Sequence, residues 1–353
     1  MDDLLSGAPP EIEQDQDDTR PRPLTALPST ADRVYGRVTS GAAATVLAIM
    51  LVVGVFLLLR ATDAIREAGF SFLTTADWQP EGGAFGIAAV LTGTVLIGLT
   101  AIVIALPLAL GTALYISEYA PERLRRLLIN MVDLMAAVPS VVYGLWGFFL
   151  LQPQLLVNGP QGEGLPRWLA TYFGWFPLFA VEQGGVRVDA GDPAATGTVF
   201  TSSMFIAAVV VALMVSPVAC SIMRESFSQA PIGEREGAYA LGSTRWGMVR
   251  SVVLPFGVGG IIGGTMLGLG RALGETIAVY MILSIAFDVK IRILEGGGSS
   301  VSALIALRFG EATDFGLSAL MAAGLSLFLL TLVINFGASA IIARSRSGAM
   351  SDA

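Results

Sequence analysis

The stretch REGAYALGSTRWGMVRSVVLP, Arg235 to Pro255, decides how this chain folds. It separates two long apolar runs. Glu236-Gly237-Ala238-Tyr239-Ala240-Leu241 presents a small, apolar face, and Gly242 supplies a position at which the backbone can turn. Trp246, Val249 and Val253 then follow at helical spacing, and Pro255 marks entry to the next apolar run. The spacing predicts two short helical pieces joined at Gly242. A small-residue helix of this kind, held at a membrane surface, can dock into a groove on another protein.

The apolar runs on either side extend through the chain. Of its 353 residues, 54% are hydrophobic and 14% charged, with a mean hydropathy of +0.70. An ordinary soluble domain carries about 25% charged residues, and about 20 apolar residues span a bilayer core. The chain therefore reads as an all-α, polytopic membrane protein with six transmembrane helices, over 41–59, 85–117, 127–151, 199–223, 256–286 and 316–343. Pro107 and Pro217 fall inside the second and fourth. The organisation expected is an acidic tail over 1–40, a first span with its outer loop over 41–84, a core over 85–345 containing the loop at 224–255, and a short tail over 346–353.

Basic residues orient these spans, because Lys and Arg accumulate on the cytoplasmic side. With both termini cytoplasmic, the inner segments hold thirteen Lys or Arg and the outer segments seven, while Arg271 lies within a span. Two outer loops are long. One carries the aromatic cluster WLATYFGWF, Trp168 to Phe176, suited to an interfacial anchor or to an external partner's surface. The other carries GGGSS, Gly296 to Ser300, which reads as a loop tip. The net charge of −7 comes from seven acids and no base over residues 1–18, so it belongs to a tail with a disordered composition. No cleavable signal peptide is evident before the first apolar run.

Scarce residue types narrow the chemistry. There is no His, one Cys (Cys220) and one Lys (Lys290). That composition excludes a Cys/His metal cluster, an intrachain disulfide and His-based catalysis. The lone Lys sits in DVKIR, so the phosphate-cradling G-x-x-x-x-G-K-[ST] loop is absent and any ATP-driven function needs an ATPase on another chain. Cys220 reads as a packed thiol.

The quoted loop resembles the EAA loop of bacterial ABC importer permeases, with Glu236, Ala238, Gly242, Val252, Leu254 and Pro255 at the pattern positions. Gly237 stands where Ala is usual, which lowers helix propensity and leaves room for close docking. In that family the loop forms the coupling helix that sits on the ATPase. GLGRALGETIAV (Gly268 to Val279) is similar to the signature of phosphate-specific permeases. DLMAAVPSVVYGLWG (Asp133 to Gly147) and FSFLTTADWQP (Phe70 to Pro80) resemble their PstC-type branch. The resemblance implies a type I ABC importer permease fold and a subunit of an ATP-driven phosphate importer in the bacterial plasma membrane. It implies a PstA-like second permease, two copies of a cytoplasmic P-loop ATPase that bind ATP and Mg, an external phosphate-binding protein, and no cofactor on this chain. The surroundings are a lipid bilayer, and no nucleic acid is involved.

The pathway candidates can also be read from the residues. Arg271 lies in the middle of an apolar run, at a cost of about 2.5–3.5 kcal/mol on insertion scales, and its guanidinium offers a donor fork matched to phosphate oxygens. Glu275 falls one helical turn on, on the same face. The two form either a substrate pathway in which the carboxylate gates the Arg, or a structural ion pair. Asp133 either pairs with Arg125 or Arg126 or lines the inner exit, and the Ser140 hydroxyl satisfies a backbone group freed by Pro139 or touches substrate. Gly260, Gly264 and Gly268 make a small-residue stripe for helix packing or for sliding against a second permease. Two other readings keep part of this picture: a permease for sulfate or molybdate, and an ATP-independent secondary transporter, which would have no use for the coupling loop. An intramembrane enzyme lacks any nucleophile motif or metal spacing.

Overall fold

The computed structural model describes residues 30–157, 164–183, 186–187 and 200–346. The acidic run over 1–18 lies outside them, as does the tail beyond Arg346. The chain divides into two units at Val53/Gly54. The first described helix, α1 (Thr30–Arg60), begins eleven residues before the expected span and has no buried residue. Its apolar side chains up to Val53 are exposed, as suits positions that face lipid.

From Gly54 onward the order is α2 (Thr62–Ala68), α3 (Ser71–Thr74), a hairpin of β1 (Trp78–Gln79) and β2 (Ala84–Phe85), and α4 (Ala88–Tyr119). Then come α5 (Glu122–Ala137), α6 (Ser140–Pro153), α7 (Leu165–Phe173), and a second hairpin of β3 (Glu182–Gln183) and β4 (Val186–Arg187). The remainder is α8 (Met204–Ser228), α9 (Ile232–Ala240), α10 (Arg245–Leu273), α11 (Ile277–Ile282), α12 (Val301–Arg308) and α13 (Asp314–Arg346). The hairpins pair Trp78 with Phe85 and Glu182 with Arg187, and with isolated bridges of Ser203 to Gly296 and Gly297 and of Ile285 to Gly298 they are the departures from an all-α fold among the described residues. Five helices (α1, α4, α8, α10 and α13) are long and apolar enough to cross a membrane, and α5 with α6 makes a sixth when counted as one bent span.

The core is built around α8. Its sequence is apolar on every face, which marks a helix enclosed by others, and fifteen of its residues are buried. It packs between α4 and α10. The glycine stripe of α10 serves this contact: a Cβ on Gly260 would meet Ser226 Cβ at 2.2 Å, and one on Gly268 would meet Val215 Cγ1 at 2.6 Å. The stripe therefore faces α8 of its own chain and not a second permease.

Three expectations are corrected by backbone chemistry. The span over 127–151 is bent by 91° between α5 and α6, because Pro139 has no N–H to give and restricts the residue before it. The span over 256–286 is one helix from Arg245 to Leu273 followed by a break. Pro255 lies inside it: a wide π turn over Val249–Val253 absorbs the missing donor and the ring's clash with the preceding turn. The GGGSS run is no exposed tip. Gly298 adopts φ +139° and Ser299 and Ser300 are 1% and 3% exposed. The segment is wedged between α8 and α4, where a Cβ on Gly93 would lie 2.0 Å from the Ser299 carbonyl oxygen.

That contact yields a stability test. Gly93→Ala removes the room for the Ser299 carbonyl and is expected to cost about 1–3 kcal/mol, read as a lower thermal midpoint of the purified protein in detergent. Gly111→Ala, on the same helix with nothing within 4 Å, is expected to be neutral or to gain up to ~1 kcal/mol.

Candidate functional site

The sequence motifs fall at opposite ends of the bundle. The first end is organised by the break after α10. Gly274 closes the helix through its N–H to the Gly270 carbonyl, and Thr276 at φ −110°, ψ −63° starts the chain in a new direction. This break separates Arg271 from Glu275. Arg271 is exposed on the last turn of α10, two residues before the helix end at Leu273 and not in mid-span. Glu275 is 8% exposed and points into the chain, where its Oε1 accepts the Ala278 amide at 3.1 Å and caps α11. Among the described residues no ion pair joins the two. The same-face pair expected from i,i+4 spacing requires a continuous helix, and Gly274 ends it.

The Glu275 site is held from a distance. Ser302 Oγ donates to the Glu275 carbonyl at 2.7 Å. Ser300 caps α12 by accepting the Ala303 amide at 3.2 Å, and the Val301 amide donates to Thr94 Oγ1 of α4 at 2.9 Å. Thus the buried Ser299–Ser302 segment fixes the break and satisfies backbone groups that lipid cannot. Sequence reasoning missed Ser300, Ser302 and Thr94, for a Ser after a Gly run reads equally as a surface loop. It also missed Tyr143. That hydroxyl donates to the Met135 carbonyl at 3.0 Å, across the Pro139 bend.

Asp133 and Ser140 make no hydrogen bond to Glu275 among the described residues. Asp133 is exposed on α5 and accepts from Ser221 Oγ of α8 at 3.3 Å; Arg126 pairs instead with Glu122, one turn back on its own helix. A short Ser donor on the adjacent helix is in reach where the Arg side chains are not. Ser140 begins α6, half-buried, just past the bend.

The second end carries the Arg235–Pro255 loop, and here the expected geometry is present. α9 ends at Ala240, Gly242 takes φ +81°, and its N–H bonds the Tyr239 carbonyl at 2.9 Å while Ser243 N–H reaches the Ala238 carbonyl at 3.1 Å. The left-handed conformation at Gly242 is what closes α9 and reverses the chain. Thr244 then caps α10 by accepting the Gly247 amide at 3.1 Å. Glu236, Gly237, Tyr239, Leu241 and Trp246 are exposed, with Leu241 at 89%, while Ala238 turns inward against the apolar cluster of Met248, Val249, Phe227 and Cys220. Leu254 is half-buried and Pro255 exposed within α10. Cys220 is buried, the packed thiol the sequence implies.

Two residues at this end had no signal in the sequence. Glu118, with a side chain 3% exposed at the end of α4, pairs with Arg235 of α9 at 3.1 Å. Removing one partner of such a buried pair costs about 3–5 kcal/mol.

Residues 101–347 match the family described as binding-protein-dependent transport system inner membrane component. A relative from Mycobacterium tuberculosis, named phosphate transport system permease protein PstC 2, is 39% identical over 314 residues, covering 88% of this chain and 91% of its own. A PstC from Pasteurella multocida is 37% identical over 289 residues, covering 79% and 84%. The crystal structure of a bacterial alginate ABC transporter, in complex with an alginate-bound periplasmic protein, superposes with a TM-score of 0.54 at 14% identity, covering 87% of this chain and 94% of that one; this shows a shared fold. The chain belongs to the family of binding-protein-dependent transport system inner membrane components, in its PstC-type branch.

Proposed function

We propose that this chain is a transmembrane permease subunit of an ATP-driven inorganic phosphate importer, forming half of the translocation pore. The observation that carries the reading is the match along nearly the whole chain to permeases named for phosphate transport. The coupling loop supports it independently. Tyr239 of α9, Leu241 after its end and Trp246 of α10 face outward around the Gly242 turn, a surface that a carrier working alone has no use for. A P-loop ATPase, present in two copies and holding ATP and Mg, would cover it. A second, related permease would complete the pore, and an external binding protein would deliver phosphate. The chain itself carries no catalytic role.

In this mechanism closure of the ATPases pushes α9, and the bundle turns its pore from the inner to the outer side. Arg271 has the chemistry to meet phosphate: an exposed guanidinium, free of Glu275, offering paired donors to two oxygens. Exposed on this chain alone, it would line the space shared with the second permease. Glu275 acts differently, by holding the turn into α11 that sets where Arg271 ends. Both termini and α9 face the cytoplasm of a bacterial cell, as the Arg distribution directs.

Three results test this reading. For orientation, single cysteines at Trp175 or Val289, both exposed, in a Cys220→Ala background are expected to react with an impermeant thiol reagent in intact cells. One at Glu234 should react only after the cells are opened; the reverse pattern contradicts the assignment. For coupling, Gly242→Val forces a β-branched residue into the left-handed region, which costs more than ~1–2 kcal/mol, and is expected to abolish phosphate uptake and loosen the ATPase while leaving the permeases associated. For the pathway, Arg271→Gln is expected to assemble and lose uptake, with Arg271→Lys keeping a fraction because it lacks the bidentate fork. Arg271→Leu combined with Glu275→Leu should remain inactive, since no pair exists to neutralise; full uptake by that double variant would reduce Arg271 to scaffold.

A further inference from the structure

One charged cluster is not used by the mechanism above. Glu118 lies in the wide π turn over Tyr115–Tyr119 that ends α4. Its carboxylate receives Arg235 Nη1 at 3.1 Å on Oε1 and 3.2 Å on Oε2, and Ser117 Oγ at 2.7 Å on Oε1. Arg235 also donates through Nη2 to the Phe227 carbonyl, in the last turn of α8. One guanidinium on α9 thereby joins α4 and α8. Next to Glu118, the Tyr119 ring carries the Arg245 guanidinium of α10 at 5.2 Å. The two arginines that flank the α9 turn are thus both held by adjacent residues at the end of α4.

The rest of α9 is loosely attached. Seven of its nine residues are exposed, and only Arg235 and Ala238 are partly covered. An apolar contact such as that of Ala238 can slide. A rigid, planar guanidinium that gives Nη1 to the buried Glu118 carboxylate and Nη2 to the Phe227 carbonyl fixes both distance and direction. It is also a costly way to hold a helix, because well-packed apolar side chains would stabilise as well or better, and here Arg235 Nε is left buried without a partner. The pair is therefore suited to transmitting force more than to adding stability.

We propose that Glu118 and Arg235 are the linkage that carries displacement of α9 into α4 and α8, acting as positioning residues that touch neither phosphate nor ATP. The proposal rests on the reading of α9 as the ATPase docking helix. When the ATPases move α9, Arg235 pulls the end of α4 through Glu118 and the end of α8 through the Phe227 carbonyl. These are the two helices packed against each other in the core, so the pore-forming bundle follows. Without the pair, α9 would ride on the ATPase while the bundle lagged behind.

The test uses the complete complex in proteoliposomes: both permeases, the ATPase and the binding protein. Phosphate imported and ATP hydrolysed are measured together. Glu118→Gln, which keeps the shape and removes the charge, is expected to assemble and to hydrolyse ATP while the phosphate imported per ATP falls about tenfold. Arg235→Lys, which keeps the charge and loses the fork, is expected to fall between it and the unaltered chain. The exchange Glu118→Arg with Arg235→Glu is expected to recover part of the ratio. An unchanged ratio in assembled Glu118→Gln complex would overturn the proposal. So would loss of assembly in both single variants, which would make the pair a scaffold. Failure of the unaltered complex to import phosphate on ATP would instead overturn the functional reading beneath it.

Discussion

Lipid offers no hydrogen bonds, so a chain that crosses it must satisfy every backbone amide and carbonyl itself. Regular helices do so automatically. This chain departs from regular helix at Val138–Pro139, at Gly274–Thr276 and at Gly296–Ser300, and each departure is closed by side chains of the same chain. The Tyr143 hydroxyl bonds the Met135 carbonyl beside the bend, Ser302 bonds the Glu275 carbonyl, Glu275 bonds the Ala278 amide and Thr94 bonds the Val301 amide. Irregular backbone at membrane depth is tolerated only where protein or a water-filled cavity surrounds it.

Two buried carboxylates serve the two ends of the molecule in different ways. Glu275 is held by backbone groups, which fixes a turn in the helix that carries Arg271. Glu118 is held by an arginine from another element, which fixes one helix to another. A carboxylate bound to its own neighbourhood sets local shape. One bound across 117 residues of sequence can transmit movement. α8, enclosed on nearly all sides, connects the ends: it receives the glycine stripe of α10 along its length and the Arg235 donor at its last turn.

The turn at the Arg235–Pro255 loop was legible in the sequence because its signals are local. A small apolar face, a glycine that must turn the chain and helical spacing after it all lie within some twenty residues, and Gly242 at φ +81° takes the conformation its position requires. The spans were legible as apolar runs. The break after Leu273 was not, for hydropathy passes smoothly over Gly274 in a helix that already holds many glycines. An unbroken helix would place Glu275 on the face of Arg271, and the break at Gly274–Thr276 turns it away. The burial of Gly296–Ser300 was hidden for a similar reason: small residues mark a flexible tip and a tight packing contact alike, and Gly93, which decides between them, lies two hundred residues away. Pairs such as Glu118 with Arg235 leave no trace at all in a single sequence.

We propose that this chain conducts phosphate only as part of an ATP-driven assembly. The most direct measurement is radiolabelled phosphate entry into proteoliposomes that hold this chain with its second permease, with and without the ATPase, ATP and the external binding protein. Unlabelled sulfate is added as a competitor. The account predicts uptake that needs every component and is unaffected by sulfate. Phosphate entry without the ATPase, or sulfate carried in place of phosphate, would contradict it.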